Sequence, residues 1–136
     1  VFGPAAPTHT LTVFTDIDCG YCRKLHAEMA QFEDQGIQIR YLFYPRAGAD
    51  SESYRKAVSV WCAEDQHAAM TAAKAGEAVP EASCDNPVSQ HMALGRAFGI
   101  QGTPALVLED GELIPGYIPA ERLKRALDAR AASAVN

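Results

Sequence analysis

The chain has 136 residues, of which 48% are hydrophobic and 21% charged, and its formal net charge is −5. This is the length of one domain, with enough apolar material to build a core without metals or staples. The acidic balance argues against nucleic acid or anionic membrane as the main partner, and no apolar run approaches the roughly 20 residues of a membrane helix.

The opening "VFGPAAPT" is rich in Pro, Gly and Ala without periodicity, and residues 1–9 read as a linker. With no initiator Met and no basic-then-apolar segment, Val1 is expected to begin a processed chain or an excised piece. Leu11 to Ile17 is strand-like, rich in Thr, Val and Phe. From Cys19 the period changes: Cys22, Leu25, Met29 and Phe32 recur at helical spacing, and Gly36 is a natural stop. "IQIRYLFYP", Ile37 to Pro45, is the strongest strand, with β-branched and aromatic residues and a closing proline. Strand, helix, strand over this span fits one βαβ unit with parallel strands.

A mostly helical middle follows. Ser51 or Ser53 caps a helix carrying Ala57, Val58, Val60 and Trp61, and a second segment runs near His67 to Ala75. "GEAVPEASCDNP" is a loop. Pro87 suits the first turn of a further helix through Phe98, ended by Gly99. "ALVLEDGELIPGY" predicts a hairpin turning through Asp110-Gly111. An amphipathic helix starts near Pro119 and carries Leu123, Ala126 and Leu127. The order, β-α-β, then helices, then β-β-α, predicts an α/β sandwich with a small mixed sheet whose last two strands are antiparallel.

The chemistry points to "DCGYCRK". A cysteine at the first turn of a helix meets unpaired backbone N–H groups and the positive end of the dipole, which favour the nucleophilic thiolate. Cys19 holds that place, and Cys22 lies one turn inward, where it can displace a mixed disulfide formed on Cys19. Gly20 permits close approach of another chain, and the Tyr21 ring offers it an apolar surface. Asp18 opposes thiolate formation, with Arg23 and Lys24 as possible compensating cations. Zinc is the competing reading, but a closed site needs four ligands. The chain has no second Cys-x-x-Cys, and His9, His26, His67 and His91 show no paired spacing; His26, one turn from Cys22, reads as a partly exposed helix residue.

Cys62 follows Trp61 in a helical run and Cys84 lies in the loop "EASCDNP". The pair reads as a structural disulfide pinning that loop, with two free buried thiols as the alternative. Thr103-Pro104 stands directly before a strand. On local sequence Pro104 is an ordinary turn proline, although its position also allows a cis bond.

Together "FTDIDCGYCRKLH", "RYLFYPRAG", "WCAEDQ", "ASCDNP" and "LGRAFGIQGTPALVLEDGELIPGY" resemble the catalytic domain of the bacterial periplasmic disulfide isomerases of the DsbC family. The resemblance runs in order over nearly the whole chain from about Thr10. It implies a thioredoxin-like fold over residues 10–136, with a helical insertion at about 50–98. It implies Cys19 as the exposed attacking thiol and Cys22 as the resolving one, tuned by Gly20 and Tyr21. Thr103 and Pro104 match a cis-proline loop that binds substrate, and Cys62 and Cys84 match a structural disulfide. The Gly-Tyr dipeptide fits this family better than its DsbG relatives, which usually have Pro-Tyr.

The same resemblance implies no cofactor and no metal, a periplasmic location, and unfolded or misfolded disulfide-containing proteins as substrates. It implies a membrane thiol reductase of the DsbD type as electron donor, a homodimer for the full-length form and a monomer for this segment, since the family's N-terminal dimerisation domain is missing here. Asp18 departs from the Thr of the best-known members. The expected function is thiol-disulfide isomerase and reductase, with a monomeric dithiol oxidase and a chaperone-like binding module as alternatives.

Overall fold

A computed structural model describes residues 1–135 of the chain. The first strand, β1 (His9–Thr15), is followed by helices α1 (Gly20–Ala27) and α2 (Met29–Asp34) and by strand β2 (Ile37–Phe43). Three helices come next: α3 (Glu52–Trp61), α4 (Gln66–Lys74) and α5 (Val88–Ala97). Strands β3 (Ala105–Val107) and β4 (Leu113–Pro115) and helix α6 (Ala120–Val135) complete the order. The sheet runs β2-β1-β3-β4. β1 pairs parallel to β2 from His9↔Ile37 to Thr15↔Phe43, and antiparallel to β3 through Val13↔Leu106. β3 and β4 are antiparallel. The arrangement is the β-α-β, helical insertion, β-β-α order that the hydrophobic patterning predicts.

β1 has a neighbour on each side and is covered on both faces, so its alternate side chains enter different cores. Leu11 and Val13 pack with Leu25, Phe32, Leu106, Leu123 and Leu127. Phe14 packs instead with Ile100 and Ala105. A further core of Ile17, Phe43, Val60, Met70, Val88 and Met92 joins the sheet to the three inserted helices. Burying Phe32 completely contributes about 2–3 kcal/mol relative to leaving it in water.

Three local features differ from the sequence reading. The helix expected from Cys19 to Phe32 breaks at Glu28 (φ −98°, ψ 17°), whose carboxylate accepts the Tyr117 hydroxyl. The expected linker begins with an ordered residue: Phe2 and Ile39 exchange backbone hydrogen bonds of 2.8 and 2.7 Å along the outer edge of β2. The Phe2 ring also stacks on His67 and meets His26 edge-on. The hairpin strands are shorter than expected. Leu108 N–H donates to Glu112 O at 2.9 Å, and Gly111, at φ +87°, makes the turn that a Cβ would strain.

Cys62, which caps α3, is bonded to Cys84 in the loop before α5, with Cα atoms 5.7 Å apart. The same loop is held a second time where Ala82 N–H donates to Ser59 Oγ.

Candidate active site

β1 ends at Thr15, and a turn through Asp16, Ile17 and Asp18 delivers the chain to α1, with Cys19 N–H donating to Asp16 O at 3.0 Å. Cys19 is the N-cap residue: its backbone is extended (φ −86°, ψ 127°), and its sulfur accepts the Cys22 N–H at 3.3 Å. The sulfur thus takes the capping role that a Ser or Asp oxygen usually has, and helix formation itself aims N–H groups at it. From the other side, Cys19 Sγ donates to the carbonyl of Thr103 at 3.3 Å. The Thr103–Pro104 peptide bond is cis. Gly116 N–H anchors the Pro104 carbonyl at 2.9 Å, so the end of β4 holds this loop against α1.

Burial alone would push the Cys19 thiol up, but the Cys22 thiol, the Thr103 side chain, the Cys22 N–H and the Arg46 guanidinium together bring it below its ordinary value. Cys22 goes the other way. Burial raises its thiol and so does its hydrogen bond to Cys19, and these outweigh the Asp16 backbone, Lys74 and Thr103. The two sulfurs are therefore differentiated: Cys19 ionises first, and Cys22 keeps the proton and donates it toward its neighbour. The Thr103 hydroxyl is buried and has no hydrogen-bond partner among the described residues.

Access differs from the expectation. Cys19 is only 3% exposed and Cys22 1%. The attacking sulfur is tucked under the Thr103 carbonyl because both its hydrogen bonds point inward. Gly20 and Tyr21 frame it. A Cβ at Gly20 would meet nothing within 4 Å, and Tyr21 is 63% exposed with its ring stacked 6.1 Å from that of Tyr117.

Asp18 meets one of the two cations that the sequence offers it, and another from α3. Its carboxylate is held by Lys56 at 2.8 Å, Arg23 at 3.1 Å and the Ser53 hydroxyl at 2.5 Å, so its charge is balanced by cations from α1 and α3. Although burial works in the other direction, these partners hold the carboxyl below its usual range. Lys24 instead lies over the Tyr117 ring, 5.0 Å from its centre. One cation that Cys19 feels is Arg46, beyond β2, whose Nε also pairs with buried Asp16 at 2.9 Å. Arg46 lies inside a stretch that carries the family resemblance, but nothing in its local sequence says that it turns back toward Cys19.

His26 is buried, not partly exposed. Its ring nitrogens lie 2.9 Å from Tyr41 Oη and 2.9 Å from Thr71 Oγ1. Burial, with Lys74 and His67, lowers it to about 4, so it is neutral near neutral pH. Among the described residues no group of three or more His, Cys, Asp or Glu side chains is placed to hold a metal. Buried Lys74, half-buried Tyr41 and exposed Thr71 are the polar neighbours of His26 that periodicity does not single out.

Comparison with known proteins agrees with this geometry. Residues 4–131 match the thioredoxin-like domain family. The chain is 48% identical over 120 residues to the thiol:disulfide interchange protein DsbC of Escherichia coli K12, covering 88% of this chain and 51% of that protein. It is 47% identical over 125 residues to DsbC of Dickeya dadantii, covering 92% and 52%. The chain therefore spans about half the length of the curated relatives it matches. The crystal structure of a disulfide interchange protein from Neisseria gonorrhoeae superposes with a TM-score of 0.79 at 32% identity, covering 95% of this chain and 91% of that one.

Proposed function

The chain belongs to the thioredoxin-like family, within the group typified by the DsbC catalytic domain, and from that premise we propose that it is a thiol-disulfide isomerase and reductase acting through Cys19 and Cys22. The observation that carries the reading is the placement of Cys19 Sγ. It is at once the N-cap acceptor of α1 and the partner of the carbonyl preceding a cis-proline.

In the proposed cycle the Cys19 thiolate attacks one sulfur of a mispaired disulfide. A Cys19–substrate disulfide forms, the substrate S–S bond breaks, and the other substrate sulfur leaves as a thiolate that takes a proton from solvent. As thiolate, that sulfur attacks another disulfide of the bound chain and frees a further substrate sulfur, which attacks the Cys19–substrate bond; the native pairing forms and Cys19 leaves as thiolate, without net redox change. When this rearrangement stalls, Cys22 attacks Cys19 Sγ. The Cys19–Cys22 bond forms, the substrate sulfur leaves reduced, and two electrons have passed to the substrate. A membrane thiol reductase of the DsbD type then restores the dithiol.

Thr103 and Pro104 are assigned to docking an extended substrate backbone, with Gly20 leaving room for it and Tyr21 offering an apolar contact. Unfolded or misfolded disulfide-containing proteins of the periplasm are the proposed substrates, and the periplasm is the proposed location. The experiment is a trap. C22S incubated with a scrambled disulfide protein should accumulate a mixed disulfide at Cys19, while C19S should neither accumulate one nor restore native pairing. Native pairing regained by C19S at the wild-type rate contradicts the proposal.

A further inference from the structure

The reaction just described leaves one buried charge without a role. Lys74, the last residue of α4, is 3% exposed. Its ammonium donates to the Thr15 hydroxyl and lies 4.3 Å from the centre of the Tyr41 ring. Thr15 ends β1, and on α1 His26, one turn on from Cys22, bonds both Thr71, one turn before Lys74 on α4, and Tyr41, whose ring the ammonium covers. The helix faces that carry Cys22 and Lys74 are thus joined directly. A buried lysine is costly unless it has a purpose or a partner, and a hydroxyl with an aromatic face satisfies it only in part.

We propose that Lys74 is the buried cation that stabilises the Cys22 thiolate and so governs the resolving half of the interchange reaction. This inference rests on the redox reading of Cys19 and Cys22. While Cys19 is free, the Cys22 thiol donates toward it. Once Cys19 is tied up in a mixed disulfide that acceptor is gone, and Cys22 must ionise in the interior in order to attack. Its proton passes to solvent. The thiolate then forms a bond to Cys19 Sγ, the Cys19–substrate bond breaks, and the substrate sulfur departs as a thiolate and is protonated outside. The redox pair is oxidised and the substrate reduced. Lys74 touches none of the reacting atoms. It is a positioning residue whose field acts on the sulfur through a low-dielectric interior, where a unit charge matters more than in water.

The surrounding groups leave this role to Lys74. On α1, His26 is neutral, and Arg23 directs its guanidinium to Asp18 and to the Ile17 carbonyl. On α4, Thr71 is uncharged and bound to His26, and His67 stacks on Phe2. On β2, Tyr41 is held protonated by burial. Asp16 is paired with Arg46. Burial lowers Lys74 to about 8, against the raising influence of Cys22, Cys19 and Asp16, which leaves it mostly cationic near neutral pH. A cleft of about 280 Å³ lined by Arg23, His26, Thr71 and Lys74 opens beside the ammonium.

The test separates the two sulfurs in time. Reduced protein is mixed with dithiobis(nitrobenzoate), so that the first nitrobenzoate thiolate reports attack by Cys19 and the second reports resolution by Cys22. Lys74→Met, which keeps the volume and removes the charge, should shift the pH profile of the second phase alkaline by about one unit, a roughly tenfold slowing at about pH 7. The first phase should change much less, and Lys74→Arg should restore most of the second. A wild-type second-phase profile in K74M overturns the inference alone. A wild type that shows no first phase overturns the redox reading with it. Should K74M not fold, NMR titration of the Lys74 ammonium in C19S and in the C19S/C22S double variant decides. With Cys22 the one thiol of the pair, the Lys74 midpoint should lie above that of the double variant, and equal midpoints contradict the proposal.

Discussion

The Cys19 sulfur is subject to opposing forces, and the outcome turns on groups far away in sequence. Burial disfavours its thiolate, while a helix start, a neighbouring thiol, Thr103 and a guanidinium favour it. Replacing Arg46 with Met should therefore slow alkylation of Cys19 at about pH 7 by roughly two- to fivefold, equivalent to about 0.3–0.7 of a pK unit. Mass-spectrometric alkylation kinetics measures this; an unchanged rate would mean that the guanidinium is screened from the sulfur. The site was partly legible in the sequence. The Cys-x-x-Cys spacing and the change of period at Cys19 locate the reactive pair, because both depend on adjacent residues. Arg46 and Lys74 are invisible to such reasoning, since what matters is where a long side chain folds back, and Lys56 as a partner of Asp18 is hidden for the same reason.

At the level of elements, one buried residue joins three of them. His9, which opens β1, lies 2.8 Å from Glu109 beyond β3 and 2.8 Å from Asp128 on α6. Burial opposes its protonation, but the two carboxylates outweigh this and raise its pKa above 6.5. A group raised in the folded state contributes stability that is fully present below its unfolded value and disappears as pH rises through its folded value. Thermal stability should therefore decline as pH climbs from below 6.5 through the higher folded value of His9, and His9→Gln should flatten that decline. Calorimetry across this window checks it, and an identical slope in H9Q would contradict it.

Periodicity is enough to find β1, β2 and α6, whose apolar residues sit at regular steps. The break between α1 and α2 is another matter, because the partner that holds Glu28, Tyr117, lies 89 positions away. The order of Phe2 is hidden too, since one aromatic ring among prolines and alanines carries no period.

The whole molecule is a four-stranded sheet domain with a helical insertion that reaches into the active site. Ser53 and Lys56 of α3 bind Asp18, and α4 brings in Lys74. The Cys62–Cys84 disulfide, which spans 22 positions, restrains that insertion. Its removal in a Cys62→Ser, Cys84→Ser double variant should cost about 3 kcal/mol on chain-entropy arithmetic. For a chain of this length that lowers Tm by roughly 10 °C, and a variant that melts with the wild type would show that the loop is held by its other contacts. The central claim, however, is that this fold ionises one sulfur in preference to the other. The most direct measurement is the pH titration of thiolate absorbance in the reduced protein, with the signal assigned to Cys19 by its loss in C19S. The account predicts a midpoint for Cys19 clearly below that of an ordinary cysteine, with Cys22 titrating above it; a Cys19 midpoint at or above the ordinary value would contradict it.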